Sequence, residues 1–233
     1  MSGKGGVGKS TFTTNIAIEL SKTKNTLILD FDLCGPSIPQ LTNTSDDIAF
    51  ESNNKIFPIK VKENLFCLSV GHFLKNRNII YSSKTKTMII KKILKETCFN
   101  GFFYVVVDTP PGISDEHLGI INYMRIDFVL LITTPQRISF NDVIRQIDFC
   151  RKTRLKLMGI VENMGKFVCP CCMHENNIFS GSSVKEYCSN NKIEYLGSID
   201  VLPKIAKSCD EGIPCKNIDI QKISDFIVSK YSC

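Results

Sequence analysis

Gly3-Lys4-Gly5-Gly6-Val7-Gly8-Lys9-Ser10 reads as a phosphate-binding loop. It satisfies the pattern G-x-x-x-x-G-K-[ST]. Glycines at these places let the backbone curl until its N–H groups face an anion. Lys9 is then placed to reach the β- and γ-phosphates, and the Ser10 hydroxyl to ligate Mg²⁺. Thr11 opens a helix whose positive end supports the same charge. A glycine-rich turn without a ligand is the plain alternative, and the Lys-Ser pair after the last glycine argues against it.

Outward from the loop, apolar strands alternate with helical patterns. Phe12, Ile16, Ala17 and Leu20 have helical spacing. Thr26 to Leu29 is a short β-rich run ending at Asp30. Ile56 to Val70 holds two strand-like runs broken at Glu63-Asn64, which predicts a hairpin. Lys86 to Cys98 is helical. Phe102 to Val107 is wholly apolar, as in a strand buried on both faces of a parallel sheet. Phe128 to Ile132 and Leu157 to Val161 are two more such strands, with a helix at Ser139 to Arg151 between them. A last strand at Leu196 to Ile199 precedes helices near Lys204 to Cys209 and Ile218 to Lys230. The alternation predicts an α/β fold with a doubly wound, mostly parallel sheet and flanking helices. We expect one P-loop ATPase domain over 1–233, with a cysteine-bearing loop at about 164–180. A P-loop follows a central buried strand, yet only Met1 precedes Ser2. The first strand is therefore expected to be missing from the sheet, and the native chain to start upstream.

Of 233 residues, 43% are hydrophobic and 22% charged, which excludes a disordered or collagen-like chain. No apolar run approaches the about 20 residues of a membrane span, and the first residues have no signal-peptide core. The expected location is cytoplasmic, with no membrane partner. The charge is +6, from 29 basic and 23 acidic residues. Lys84, Lys86, Lys91, Lys92 and Lys95 cluster, as do Arg151, Lys152, Arg154 and Lys156. No aromatic residues interleave with them, so they read as solvated helix faces and no nucleic-acid partner is expected.

Two acidic regions suit a nucleotide switch. Asp30 and Asp32 follow a strand in LDFDLCGPSIP, and Asp108 follows the apolar strand in VVVDTPPG. Strand ends are where such sheets bind ligands. Asp108 is expected to hold the Mg²⁺ shell and Asp32 to orient the attacking water. A helix cap or turn is the plain alternative for either.

Eleven cysteines are many for a chain without a secretory leader, and the odd count argues against a disulfide framework. Cys34, Cys67, Cys98 and Cys150 lie in or beside apolar elements and read as packing. Cys188, Cys209, Cys215 and Cys233 carry no assignment. Cys169 and Cys172 form a C-x-x-C pair stiffened by Pro170, able to grip one metal or one cluster edge. Alone, such a pair is equally compatible with a redox couple, with zinc (His174 adding a ligand) or with no ligand. A [4Fe–4S] cluster wants four thiolates, and a twofold dimer would supply two from each subunit. His117 reads as structural.

The string KGGVGKS resembles the deviant Walker A of the MinD/ParA/nitrogenase-reductase class of ATPases. In that class a lysine at the place of Lys4 crosses the dimer interface to the partner's nucleotide. SGKGGVGKST, DFDLCGPSIP, DTPPGISDEHL, TTPQ, VENMGKFVCPCC, IFSGSS and CDEGIPC together resemble the Mrp/NUBP-type iron–sulfur carrier ATPases, shorter scaffold branch. The resemblance implies an ATP-dependent scaffold that assembles a [4Fe–4S] cluster and transfers it to cytosolic and nuclear apoproteins, with slow ATP hydrolysis. It implies Cys169 and Cys172 as cluster ligands and Asn163 near the adenine. It implies partners too: a homodimer or a heterodimer with a longer family member, apoprotein acceptors and cluster-transfer factors. Cys171 fills the variable position of CPxC, and Glu175 stands where some members carry cysteine. Leu202 stands where an aspartate is expected before Pro203. The competing readings are a positioning ATPase of the MinD/ParA type without a cluster, and a zinc-stabilised interaction protein.

Overall fold

The computed structural model describes residues 1–73, 82–179, 184–213, 215 and 217–231. In chain order the elements are α1 (Lys9–Leu20), β1 (Thr26–Asp30), α2 (Ile38–Leu41), β2 (Phe50–Ser52), β3 (Lys55–Phe57), β4 (Ile59–Lys62), β5 (Leu65–Ser69), α3 (Ser83–Glu96), β6 (Tyr104–Asp108) and α4 (Asp115–Tyr123). They continue with β7 (Val129–Thr133), α5 (Arg137–Lys152), β8 (Leu157–Asn163), β9 (Phe167–Val168), β10 (Glu175–Asn176), α6 (Val184–Asn190), β11 (Tyr195–Ile199), α7 (Pro203–Glu211) and α8 (Ile218–Tyr231).

The main sheet is in two parts. One has the order β4-β5-β1-β6, the other β11-β8-β7. All pairs are parallel except β4 with β5, the hairpin expected at Glu63-Asn64. Asn64 turns it at φ 58°, a left-handed conformation that asparagine tolerates better than most residues. The registers place Ser69, Asp30 and Asp108 side by side at the ends of β5, β1 and β6. They also place Thr133, Glu162 and Asn163 at the matching ends of β7 and β8.

Helices cover both faces, as alternate strand residues require. Leu27, Leu29 and Leu68 pack on Ile90 and Ile93 of α3 and Ile120 of α4. On the other face Ile28, Leu65 and Cys67 meet Ala17 and Ile18 of α1. Phe12 and Ile16 of α1 pack on Ile220, Ile223 and Ile227 of α8. Burying each such isoleucine is worth roughly 1.5–3 kcal/mol. The final helix thereby becomes a support for the phosphate-loop helix. Val143 and Ile147 of α5 and Val184 and Cys188 of α6 enclose the second part.

The structure corrects two expectations. The apolar strand β6 is only half-buried from Tyr104 to Val107, because among the described residues no strand pairs with its outer edge. Cys34 is exposed rather than packed, since it lies in the loop beyond β1, while Cys67 and Cys150 are buried as expected. Among the described residues no helix is long and apolar enough to cross a membrane.

Candidate nucleotide and metal site

The loop after Met1 is pinned at three places before it reaches α1. The Ile132 N–H donates to the Met1 carbonyl at 3.0 Å, and the Gly112 N–H donates to the Ser2 carbonyl at 2.9 Å. The Gln146 amide donates to the Ser2 carbonyl at 2.5 Å and to the Gly112 carbonyl at 3.0 Å. The Asn163 amide then donates to the Val7 carbonyl at 2.8 Å. Gly6 and Gly8 have φ of 79° and 85°, so the loop curls as the glycine spacing predicts.

Gly8 is confined twice over. Its φ is left-handed, and an added Cβ would sit 2.3 Å from the Asn163 Nδ2 atom. Gly8→Ala is expected to destabilise the fold by about 1–3 kcal/mol through backbone strain and loss of the Asn163 bond. A thermal melt equal to wild type would show that the loop rearranges without penalty.

Lys9 and Ser10 converge on Asp108, which is buried at the end of β6. The Lys9 ammonium lies 2.7 Å from Asp108 Oδ1, and the Ser10 hydroxyl donates to Oδ2 at 2.5 Å. Thr13 donates to Oδ1 at 3.2 Å. A buried ion pair of this kind is tolerated only when its remaining lone pairs are bonded, which Ser10 and Thr13 accomplish. The cation, the hydroxyl and the carboxylate that sequence spacing proposed therefore meet at one point.

Beside it, Asp30 is buried and accepts bonds from the Ser69 hydroxyl at 2.9 Å and the Asp32 N–H at 3.0 Å. Burial, then the charge of Asp108, pushes its pKa up to about 7. Asp30 thus ties the loop after β1 to the strand ends. Asp32 sits in that loop, half-buried, with Oδ1 accepting the Gly35 N–H at 3.2 Å. Burial raises its pKa as well. Lys4 is exposed and stands apart from the Lys9–Asp108 cluster. The Thr11 hydroxyl lies 3.4 Å from the Cys209 sulfur on α7. Thr13, Ser69 and Gln146 belong to this neighbourhood and no motif pointed to them, while Cys209, the first residue of CDEGIPC, had no role assigned.

Beyond β8 the chain folds back in the β9–β10 hairpin. Cys169, Cys171 and Cys172 occupy its tip, closed by the Cys169 N–H on the His174 carbonyl at 3.0 Å and the Met173 N–H on the Cys169 carbonyl at 2.9 Å. The backbone N–H groups of Cys172 and Cys171 aim at the Cys169 sulfur and lower its pKa, which favours a metal-ready thiolate. Glu175 is held by Lys166 at 2.6 Å. Among the described residues, no three His, Cys, Asp or Glu side chains are gathered to hold a metal. Residues 180–183 of IFSGSS, Pro214 of CDEGIPC and Cys233 lie outside the described residues.

Known proteins share both the fold and the sequence. MinD from Pyrococcus horikoshii, solved with Mg-ADP, has the same fold at a TM-score of 0.74 and 19% identity, over 97% of this chain and 93% of that one. A nucleotide-binding protein from Archaeoglobus fulgidus, solved in complex with ADP, matches at a TM-score of 0.79 and 28% identity, over 97% of this chain and 86% of that one. The cytosolic Fe-S cluster assembly factor NBP35 of Kluyveromyces lactis is 40% identical over 221 residues, 91% of this chain and 68% of that protein. The family model of the NUBPL iron-transfer P-loop NTPases matches residues 1–230, spanning the phosphate loop, Asp108 and the cysteine hairpin alike. On these grounds the chain belongs to the NUBPL iron-transfer P-loop NTPase family.

Proposed function

We propose that this chain is an ATP-dependent scaffold that assembles a [4Fe–4S] cluster between two protomers and passes it to cytosolic and nuclear apoproteins. The supporting observation is the cysteine hairpin, where backbone N–H groups stabilise the Cys169 thiolate beside Cys172. Two such thiolates from each of two chains meet the four-thiolate need of the cluster. The cluster is cargo, held at an exposed tip from which an acceptor can take it.

Gly3, Gly5, Gly6, Val7, Gly8 and Thr11 are read as the phosphate cradle, with Lys9 drawn from Asp108 to the β- and γ-phosphates. Ser10 and Asp108 fit Mg²⁺, a hard cation that prefers oxygen donors and would neutralise phosphate charge when bound. Asp32 is read as orienting the attacking water, and Lys4, free to reach outward, as contacting the partner's nucleotide. Asn163 is read as bordering the adenine. Its bond to Val7 also joins the phosphate loop to β8, six residues before Cys169. Nucleotide state and hairpin position would be coupled through that strand. Residues 1–233 would act as one ATPase domain carrying the cysteine loop.

The relative from Kluyveromyces lactis carries the word cytosolic in its name, and the same location is proposed here. A positioning ATPase recruited to membranes would want an amphipathic terminal helix with its apolar face free. Here Ile220, Ile223 and Ile227 of α8 are buried against α1, which favours the scaffold reading. Anaerobic reconstitution with iron and sulfide tests it. About four iron atoms per dimer supports the reading, and tightly bound zinc or no metal sinks it.

A further inference from the structure

The lysine cluster of α3 divides in two once it is folded. Lys86 pairs with the buried Glu116 at 2.7 Å, and Lys92 with Glu51 at 3.3 Å and Glu96 at 3.8 Å. Lys84, Lys91 and Lys95 are exposed and make no ion pair among the described residues. They recur at intervals of seven and four residues, so they lie along one face of the helix. Met88 stands on the same face with 62% of its surface exposed. The opposite face, carrying Ile90, Ile93 and Leu94, is buried in the core.

α4 lies alongside and runs in the same direction. Glu116 meets Lys86, a Cβ on Gly119 would stand 3.4 Å from Ile90 Cδ1, and the Lys91 ammonium lies 5.7 Å from the centre of the Tyr123 ring. Gly119 has no side chain to hold the helices apart, so their outward faces form one surface. Leu118 and Tyr123 are exposed on the α4 side, at 47% and 41%. Asp115, in the first turn, is the exposed carboxylate of that helix. The surface thus sets three unpaired cations against one carboxylate, around Met88, Leu118 and Tyr123.

We propose that this α3–α4 surface is a docking site for an acidic amphipathic helix of a partner protein. Charge complementarity selects an acidic partner, because a basic one would set like charges together. Spacing selects a helix. Lys84, Lys91 and Lys95 follow one another at about 10 Å and about 6 Å along the α3 axis. Carboxylates at the same seven- and four-residue intervals on a partner helix match that spacing, with apolar residues between them to meet Met88 and Leu118. The unbranched Met88 adapts to apolar side chains of varied shape. A bilayer fits less well, since a membrane-lying helix turns its apolar face outward, whereas Ile90, Ile93 and Ile120 face the core. A nucleic acid also fits less well. Phosphates gain nothing from exposed Met88 and Leu118, and Lys91 already lies over the one ring on which a base could stack.

The surface is joined to the nucleotide site. α4 starts at Asp115, seven residues after Asp108, and the Lys86–Glu116 pair ties α3 to its first turn. A docked helix would bear on the segment that runs from Asp108 to α4. The surface contains no residue of the cysteine hairpin, so its test stands apart from that of the cluster.

The probe is a synthetic peptide of about 18 residues, long enough to be helical alone, with glutamates at those intervals and leucines between them. Its binding to the full chain is read by fluorescence anisotropy, with a scrambled isomer as control. Binding at least about tenfold tighter than the isomer's is expected. Lys84→Glu, Lys91→Glu and Lys95→Glu together are expected to weaken it at least about tenfold, roughly the sum of three exposed ion pairs. Met88→Ala with Leu118→Ala is expected to weaken it about tenfold through lost apolar contact. Arg151→Glu with Arg154→Glu, at the end of α5, should leave it unchanged. All these side chains are exposed, so melting temperatures should hold. No binding, equal binding of the isomer, or full binding by either surface variant overturns the proposal. So does tighter binding of phosphatidylserine vesicles or of a DNA duplex, lost in the lysine variant, which would make the surface a lipid or nucleic-acid site.

Discussion

Alanine at both Cys169 and Cys172 is expected to lower reconstituted iron from about four atoms per dimer to none. Each chain offers this pair at the hairpin tip, and loss of both leaves a bridging cluster without thiolates. The substitutions should leave the melting temperature unchanged, because the tip is closed by backbone bonds between positions 169, 173 and 174. Cys171→Ala is the informative companion. Cys171 contributes its backbone N–H to the Cys169 sulfur, which alanine retains, so iron should remain. Full iron in the double variant would refute the ligand assignment. Iron lost in Cys171→Ala would move one ligand to that residue.

Lys9→Gln is expected to reduce ATP turnover at least about 100-fold, the usual effect of removing a donor aimed at developing charge. The same change leaves Asp108 buried without its counter-ion, and breaking such a pair is destabilising by about 3–5 kcal/mol. Melting curves must therefore accompany the assay. Ser10→Ala separates the two effects, since it keeps the ion pair and removes only the hydroxyl 2.5 Å from Asp108. It should cost about 1–3 kcal/mol through the unmet Asp108 Oδ2, less than Lys9→Gln, while losing magnesium-dependent turnover to a similar degree. Normal turnover in both variants would remove the phosphate loop from the proposed chemistry.

Sequence spacing made the loop legible because its requirements are local. Glycines at fixed places, then lysine and serine, fit the positive φ of Gly6 and Gly8 and the start of α1. The strands β1, β6, β7 and β8 were legible for a similar reason, as continuous apolar runs. What failed was whatever depends on distant partners. Lys9 and Asp108 were each assigned to the nucleotide site, but their direct ion pair, made across 99 residues, was not legible. Gln146 reads as an ordinary helix residue, yet it binds two carbonyls of the loop region. The half-exposure of β6 could not be seen in six apolar residues, since it depends on which strand lies alongside. β2 and β3 are short and largely exposed, and α4 starts with a polar turn in which the Ser114 and His117 side chains reciprocally cap the helix. Neither gives a strong periodic signal.

The anchoring of the phosphate loop also has a kinetic consequence. Met1 is held by Leu130, Ser2 by Gln146 and Val7 by Asn163, contacts spanning 129, 144 and 156 residues. All three of these fasteners lie far along the sequence from the loop they hold. Closing loops of that length is slow, and contacts of high sequence separation form late in folding. The β4–β5 hairpin, joined by a turn at Glu63-Asn64, has no such wait. Amide protection during refolding should appear in the hairpin before it appears at Val7 and Gly8. The phosphate loop would then be among the last parts to acquire its native shape, and nucleotide binding would report completion of the fold.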